Sequence, residues 1–299
     1  MAIETYGSLD DAVRAHFGND AVITEVRRVS GGDANDAAVL DLSSGDQVFM
    51  KSNALSRERF FIAEENGLEA IAAAGAIATP RLYCRGNDRE RGFSYLLMEV
   101  IRPAERIDAF WETFAHELFL MHEADTASLT PGGSFGYTMD NFIGAGEQKN
   151  DCRDSWITFF LECRLLPQIR KAAGYFDREA SRRIDRLLER LDRFLVEPEH
   201  PSLLHGDLWS GNFAVGSDGK AWLIDPAVYV GHAEADLAMT ELFGGFSRSF
   251  YEAYFREAHT EPGYEDRRDL YNLYHLLNHL NLFGSGYYAA VMRTVEKYQ

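Results

Sequence analysis

The segment LLHGDLWSGN at positions 203–212 contains three polar residues whose types and spacing are suited to a catalytic site. His205, Asp207 and Asn212 follow two leucines, and a short apolar run that ends in polar residues predicts a buried strand opening into a loop. His-x-Asp, with Asn five positions after the Asp, is typical of a kinase catalytic loop, where the Asp accepts a hydroxyl proton and the Asn holds a metal ion. A turn whose side chains bond their own backbone would also explain these residues, so the interpretation depends on partners elsewhere.

Phosphoryl transfer also needs a cover for the phosphates, a cation to hold them and further Mg²⁺ ligands. Gly31, Gly32 and Asp33 form a glycine turn between two predicted strands, where backbone can approach a phosphate. Lys51 ends the following hairpin, and the predicted helix after it carries Glu64. We expect Lys51 and Glu64 to form an ion pair that aims the ammonium at the phosphates.

The segment WLIDP supplies a second metal-ligand candidate. Asp225 ends an apolar strand 18 residues after Asp207 (225 − 207), which is where a kinase has its main Mg²⁺-binding Asp. Pro226 follows it where protein kinases have Phe, and Gly206 stands where their catalytic loop has Arg. We therefore expect no control by a phosphorylated activation loop, and the pattern is typical of small-molecule kinases.

The elements that must position these residues fall into two groups. Before residue 102 we predict a capped helix (SLDDAVRAHFG), a strand at 21–30, a hairpin (AAVLDL and DQVFMKS), a helix (RERFFIAEENGLEAIAAAG) and two strands (TPRLYCRG and GFSYLLMEVI). Later we predict three helices (IDAFWETFAHELFLMHEAD, SWITFFLECRLLPQIRKAAG and DREASRRIDRLLERLDRFL), a second hairpin (FAVGSDGKAWLID) and three final helices (EADLAMTELFGGF, SRSFYEAYFREAH and DRRDLYNLYHLLNHLNLFG). The prediction is an α+β, bilobal, protein-kinase-like fold. A small β-rich nucleotide-binding lobe spans 1–101, and a larger, mainly helical catalytic and substrate-binding lobe spans 102–299.

The charge and the cysteine content of the chain argue against several classes of binding partner and structural site. The 299 residues carry a net charge of −17, from 47 acidic against 30 basic residues, so nucleic acid and anionic membranes are not expected partners. Three cysteines without a CxxC motif argue against a disulfide framework or a cysteine zinc site. The N-terminus has no signal-peptide pattern and no apolar run approaches 18 residues, so we predict a cytoplasmic protein.

With these residues in hand, the chain resembles the fructosamine kinase family, also called ketosamine-3-kinases, over nearly its whole length. The strings that carry the resemblance are SGGDAND, FIAEENGLEAI, FGYTMDNFIG, HGDLWSGN, IDPAVYVGHAEADLAMTELFGGF and LYHLLNHLNLFG. The HGD core alone is shared with aminoglycoside phosphotransferases and choline kinases. The resemblance implies Mg²⁺- and ATP-dependent phosphorylation of the 3-hydroxyl of a ketoamine sugar, free or on a glycated protein side chain.

The resemblance also implies roles in catalysis and nucleotide binding. Asp207 would be the base, and Asn212 and Asp225 would be the Mg²⁺ ligands. The residues that would contact ATP are Gly31, Gly32, Asp33, Lys51 and Glu64 at the phosphates, and Glu99 and Ile101 at adenine through their backbone. Some family members carry a cysteine in the glycine turn and respond to oxidation through it. Asp33 stands there in this chain, so we expect no such redox control.

Four residues are candidates for the substrate pocket. Trp209, two positions after the base, would form a wall for the sugar, although loop packing would also explain it. His232, His279 and Asn141 are weaker candidates, because interior packing explains many such side chains. His205 and Asp236 are expected to support the catalytic loop instead of contacting substrate.

Other functions stay open at this point. A kinase for an aminoglycoside or choline would share every catalytic residue and differ only in its substrate pocket. A non-catalytic nucleotide-binding scaffold would usually have lost the base or a metal ligand. The sequence does not decide between fructosamine, ribulosamine and protein-bound adducts, and it leaves the oligomeric state open, with a monomer favoured.

Overall fold

The computed structural model describes residues 4–29, 35–131, 134–258 and 262–299. Its first part is a six-stranded sheet with the strand order β1-β5-β6-β4-β3-β2. The strands are β1 (Glu4–Tyr6), β2 (Ile23–Val29), β3 (Asp36–Leu42), β4 (Gln47–Ala54), β5 (Leu82–Asp88) and β6 (Phe93–Glu99). Neighbouring strands are antiparallel, except that β1 pairs parallel with β5.

Two helices cover this sheet. Helix α1 (Leu9–Phe17) starts at Ser8, whose hydroxyl caps the first turn, and it packs with the core that β3 and β4 form. Helix α2 (Glu58–Ala74) packs Phe61 and Leu68 against β6 and ends at Gly75, which has a φ of +67°. Alternating burial along β3 and β4 explains why the hairpin could be predicted from its pattern.

The rest of the chain is mainly helical and surrounds one large apolar core. Its helices are α3 (Phe110–His122), α4 (Trp156–Phe159), α5 (Leu166–Lys171), α6 (Arg178–Leu188), α7 (Glu234–Leu242), α8 (Arg248–Glu257), α9 (Tyr264–Phe283) and α10 (Tyr288–Lys297). Three short antiparallel pairs accompany them: β7 (Asn141–Ile143) with β8 (Gly146–Gln148), β9 (Ser202–Leu204) with β12 (Tyr229–Gly231), and β10 (Phe213–Val215) with β11 (Ala221–Leu223). The α+β bilobal prediction is confirmed.

Several boundaries differ from the sequence predictions. The helix predicted over 155–174 is interrupted by a π-helical segment (Phe160–Leu165) just before the proline at the start of α5. Helix α6 ends at Leu188, and only a short 3-10 turn follows where helix was predicted to continue. Among the described residues, four helices follow β12 where three were predicted, the additional one being α10. The division at 101/102 stays a prediction; β6 ends at Glu99 and α3 begins at Phe110.

Among the described helices, none combines the length and the apolar character needed to cross a bilayer.

Candidate active site

Two short strand pairs bring the two aspartates of the predicted site together. Strand β9 ends at Leu204, directly before the HGD segment, and its pairing with β12 buries it in the core. Asp225 lies two residues after β11. The backbones are tied to each other by Ala227 N–H to His205 O at 2.8 Å and by Ile224 N–H to Asn212 O at 3.1 Å. The catalytic loop and the metal-ligand segment are therefore one hydrogen-bonded unit.

A buried carboxylate holds the start of this loop. Asp236, on α7, accepts hydrogen bonds from the backbone N–H groups of His205 at 2.7 Å and Gly206 at 2.9 Å. His122 lies 3.3 Å from the same carboxylate through Nε2, and its Nδ1 lies 2.6 Å from the Tyr254 hydroxyl. Burial opposes ionisation of Asp236, but these donors hold its pKa below the ordinary value. The expectation that Asp236 supports the loop backbone is confirmed.

His205 also has a supporting role. It is fully buried, and its Nε2 lies 2.9 Å from the Ile224 carbonyl, to which only an N–H can donate. Nδ1 is then the acceptor for the Asp207 backbone N–H at 3.3 Å. Burial lowers the pKa of His205, so the ring is neutral and fixes the backbone on both sides of the site.

Asp207 and Asn212, the predicted base and metal ligand, contact each other. Asn212 Nδ2 donates to the Asp207 carbonyl at 2.8 Å and to its Oδ2 at 3.1 Å. Burial raises the pKa of Asp207 to about 7, although the Asn212 amide opposes that shift. A carboxyl with a pKa near neutrality is well matched to accept a hydroxyl proton.

Lys51 joins the sheet to the helical part. Its ammonium contacts both the Glu64 carboxylate on α2 and the Asp225 carboxylate. Burial opposes the charge on Lys51, but the two carboxylates raise the pKa of its ammonium above the ordinary value. Burial raises the pKa of Glu64 to about 7, whereas the contact with Lys51 holds the pKa of Asp225 below its ordinary value. The predicted ion pair between Lys51 and Glu64 is confirmed.

The backbone at Asp225 is strained. It is the one non-glycine residue with positive φ in the described ranges, at +53°. Such a conformation costs roughly 1–3 kcal/mol for a side chain with a Cβ, and it often marks functional sites. The strain coincides with the position where the sequence predicts a metal ligand.

The oxygen atoms at this place suit Mg²⁺. The described residues contain no group of three or more His, Cys, Asp or Glu that could hold a metal alone. Mg²⁺ commonly needs only one or two protein oxygen ligands when phosphates supply others. Asn212 donates to Asp207 through its side-chain NH₂ group. No described residue donates a hydrogen bond to the side-chain oxygen of Asn212, which leaves that oxygen available to a metal ion. The Asn212 oxygen and the Asp225 carboxylate therefore fit the predicted ligand pair.

Trp209 lies at the rim of the site. Its side chain is 39% exposed, and its ring packs over the backbone of Gly211, where an added Cβ would lie 2.3 Å from the ring. Phe243, after α7, contacts the indole edge-on with ring centroids 6.3 Å apart. The tryptophan thus presents an aromatic surface next to Asp207, as predicted, while its contact with substrate stays a prediction.

The other predicted substrate residues lie in different surroundings. Asn141 is buried; it donates to Val228 O at 2.7 Å and accepts from the Gln148 and Asn150 amides at 2.8 Å each. It therefore braces the chain segment after Asp225. His232 is buried beside Trp156, burial lowers its pKa to about 3, and its position indicates a core residue. A direct substrate role for either residue stays a prediction that these contacts do not support.

The predicted nucleotide contacts are only partly described. Glu99 is the last residue of β6, a strand that lies between β5 and β4 inside the sheet, and its backbone N–H donates to Arg81 O at 2.8 Å. Ile101 lies two residues later, and the adenine contacts of both residues stay predictions. Gly31, Gly32 and Asp33 lie outside the described residues.

The sequence reasoning missed one histidine near the base. His275, on α9, is 4% exposed, and its Nδ1 lies 3.9 Å from Asp207 Oδ1. No described residue hydrogen-bonds that nitrogen. The predicted His279 lies one turn later and bonds the His275 carbonyl at 2.8 Å. Since residues four apart share a helix face, the choice of His279 could have drawn attention to His275 as well.

Comparison with known proteins agrees with this geometry. The family model for fructosamine kinase matches residues 6–299. A Synechocystis protein named "Probable ketoamine kinase" is 42% identical over 271 residues, which cover 89% of this chain and 87% of that protein. The Arabidopsis thaliana "Protein-ribulosamine 3-kinase, chloroplastic" is 37% identical over 94% of this chain and 84% of its own.

A solved structure shares the whole architecture. The "Putative fructosamine-3-kinase" of Haemophilus somnus 129PT superposes with a TM-score of 0.85 at 27% sequence identity. The match covers 97% of this chain and 96% of that one. The similarity therefore extends over both the sheet and the helical part.

Proposed function

The chain belongs to the fructosamine kinase family, and from this premise we propose that it phosphorylates the 3-hydroxyl of the sugar part of a ketoamine. It is a kinase that uses ATP, with Mg²⁺ as the proposed metal. The single observation that carries the proposal is the convergence of Lys51, Asp225 and Asp207 at one site. The names of the relatives support ketoamines as the acceptor class.

The proposed reaction follows from these positions. The Asp207 carboxylate accepts the proton of the sugar hydroxyl, whose oxygen forms a bond to the γ-phosphorus of ATP. The bond from that phosphorus to the β–γ bridging oxygen breaks, and ADP leaves. Lys51, oriented by Glu64, offsets the charge of the phosphates. When bound between Asn212 and Asp225, Mg²⁺ would neutralise further charge on the phosphates.

We propose further roles in binding the nucleotide and the sugar. The carbonyl of Glu99 and the N–H of Ile101 would bond adenine, and residues 31–33 would contact the phosphates. Trp209 would pack against the sugar carbons. Residues 1–101 and 102–299 would form the two functional lobes. We propose a cytoplasmic monomer; the Arabidopsis relative is named chloroplastic, so location differs among similar proteins or is set by segments outside the shared region.

One assay tests the function. Purified protein is incubated with Mg²⁺-ATP and, separately, with fructose-lysine, ribulose-lysine, plain hexoses, choline and an aminoglycoside. We expect turnover of a ketoamine, with the phosphate on the third carbon in the phosphorus NMR spectrum of the product. A higher kcat/KM for choline or the aminoglycoside, or a phosphate mainly on another carbon, would refute the proposed substrate while leaving the kinase assignment intact.

A further inference from the structure

A row of exposed and half-buried aromatic rings includes Trp209, two residues after Asp207. We call this row the aromatic ledge; its members are Trp209, Phe243, His279, Phe283 and Tyr287. The Phe243 ring lies 6.3 Å from Trp209 and 5.0 Å from His279, measured between centroids. His279 continues the row to Tyr287 at 5.0 Å and Phe283 at 5.3 Å.

The ledge faces solvent to a degree unusual for large aromatic side chains. Trp209, Phe243 and Phe283 are 39%, 43% and 53% exposed, and the neighbouring Leu282 is 37% exposed. Single exposed apolar side chains are common, but several in contact with each other mark a binding surface. Aromatic surfaces of this kind provide much contact area at a small cost in side-chain entropy.

The ledge continues into a groove on the helical lobe. Phe243 and Tyr287 also line an open groove of about 600 Å³ between the end of α7, α9 and α10. Three charged residues, Asp269, Arg293 and Lys297, line the same groove. The surface is thus continuous from the catalytic base, over the aromatic rings, to a group of charged side chains.

The groove carries a positive charge that no described residue neutralises. Lys297 is paired with Asp269 at 2.7 Å, so these two charges offset each other. Arg293 is exposed and forms no ion pair with any residue in the described ranges. An unpaired cation in a groove favours an acidic group on the ligand at that point, even though the net charge of the chain is −17.

We propose that the aromatic ledge and the groove bind the polypeptide that carries the ketoamine, with an acidic side chain of that polypeptide beside Arg293. This inference rests on the proposed function. If the sugar lies at Asp207, the rest of the modified amine leaves the site past Trp209, where the ledge begins. Aromatic grooves suit extended polypeptide, and the unpaired arginine selects among peptides by charge. The enzyme would then prefer glycated lysines that have acidic residues near them in the sequence.

Two peptides and two variants test this docking site. The peptides each contain one fructosyl-lysine and differ only in carrying glutamate or lysine at the flanking positions; free fructose-lysine is the reference. We expect the wild-type kcat/KM to be about 3- to 10-fold higher for the glutamate peptide, mainly through KM, with the ratio shrinking at high salt. Arg293→Glu should reverse the preference. Arg256→Glu makes the same charge change on α8, outside the groove, and this variant should retain the preference for the glutamate peptide.

Each result decides between the two proposals. The docking site would be overturned by an equal kcat/KM for both peptides in the wild type, or by an unchanged peptide preference in Arg293→Glu. Turnover of free fructose-lysine would still support the proposed function in either case. If neither peptide nor free ketoamine were phosphorylated, the proposed function would fail first. As a second measure of the ledge, Phe243→Ala should raise KM for the peptides more than for free fructose-lysine; an equal change for all three would contradict a peptide-binding ledge.

Discussion

As the proposed base, Asp207 must be ionised, and burial disfavours the ionised form of its carboxyl. Burial raises the pKa of its carboxyl to about 7, well above the ordinary value of about 4. Between these two pH values the folded chain holds a proton that the unfolded chain has lost. The free energy of unfolding therefore falls as the pH rises through this window.

Asp207→Asn should separate activity from stability. An amide cannot accept the hydroxyl proton, so kcat should fall by about 10²–10⁴. The amide also carries no charge, so the nucleotide-free variant should be more stable than the wild type near pH 8, by on the order of 1–3 kcal/mol, and nearly equal near pH 4. Urea unfolding at several pH values measures the difference. A pH-independent difference in stability would mean that Asp207 titrates at its ordinary pKa.

His275 gives a second prediction about single residues. Burial lowers its pKa to about 3, so the ring is neutral, and its unpaired Nδ1 faces Asp207 Oδ1 at 3.9 Å. With a hydrogen on Nδ1, the ring can donate to the base when substrate draws the groups together, which makes His275 a positioning residue. His275→Leu should lower kcat by about tenfold with little change in KM for ATP. His275→Asn keeps a polar group near the position of Nδ1 and should restore most of kcat.

Thermal unfolding of the two His275 variants provides the control. Leucine removes a buried nitrogen that lacks a partner, so His275→Leu should be at least as stable as the wild type. Loss of kcat in a stable protein would identify positioning of the base. Equal kcat values for the leucine and asparagine variants would show that the hydrogen bond does not contribute.

At the scale of elements, helix α2 can lie close to the segment that follows Asp225 because Gly67 has no side chain. A Cβ on Gly67 would lie 3.0 Å from Pro226 Cγ and 3.3 Å from Val228 Cγ2. Glu64 is less than one turn earlier on the same helix and contacts Lys51. The distance between α2 and residues 226–228 therefore influences the position of Lys51, the lysine proposed to bind the phosphates.

Gly67→Ala tests this coupling. Alanine favours a helix by about 1 kcal/mol relative to glycine, so the helix itself is not weakened. The added methyl group should push α2 away from Pro226, and KM for ATP should rise about 3- to 10-fold while KM for the ketoamine changes less. Gly174→Ala, where nothing lies within 4 Å of the added Cβ, is the matched control. An unchanged KM for ATP in Gly67→Ala would show that the helix absorbs the methyl group without moving Lys51.

The elements that could be predicted are those with a strong local pattern. The hairpin of β3 and β4 alternates apolar and polar residues, and α2 ends at a glycine, so both were found. The strands β1 and β12 have three residues each and pair with strands distant in sequence, which no local pattern reports. His275 was missed for the same reason, because only the packing of α9 brings it to Asp207. The loop residues Asp207 and Asn212 could be proposed from their fixed spacing, whereas the approach of His275 from α9 could not.

For the whole molecule, the contact between Lys51 and Asp225 joins the sheet to the helical lobe across 174 sequence positions. The same carboxylate is the proposed metal ligand. Mg²⁺ must therefore compete with the ammonium for Asp225, which favours joint binding of metal and nucleotide over binding of the metal alone. The free enzyme keeps its two lobes connected by the ion pair.

This arrangement predicts how ligands change global stability. At a concentration 100 times its Kd, Mg²⁺-ATP should stabilise the wild type by about 2.7 kcal/mol. Asp225→Ala should lose nearly all of that gain, and its kcat should be undetectable. The rise in melting temperature with Mg²⁺-ATP measures the effect, with ATP plus a chelator as the control. If Mg²⁺-ATP stabilised Asp225→Ala as much as the wild type, Asp225 would not be a metal ligand.

The hydrogen bonds that Asp236 accepts from the catalytic loop have a consequence for protein synthesis, because the loop can be ordered only after Asp236 has been made. The backbone of His205 and Gly206 is held by a carboxylate about thirty residues later in the chain, at 2.7 and 2.9 Å. During synthesis the nucleotide-binding sheet leaves the ribosome well before α7 does, and amino-terminal units generally fold first. A nascent chain at that stage lacks Asp225 as well as the carboxylate that holds the catalytic loop. On the proposed mechanism, the unfinished chain therefore turns over no ATP, and catalysis starts only after α7 has emerged and packed.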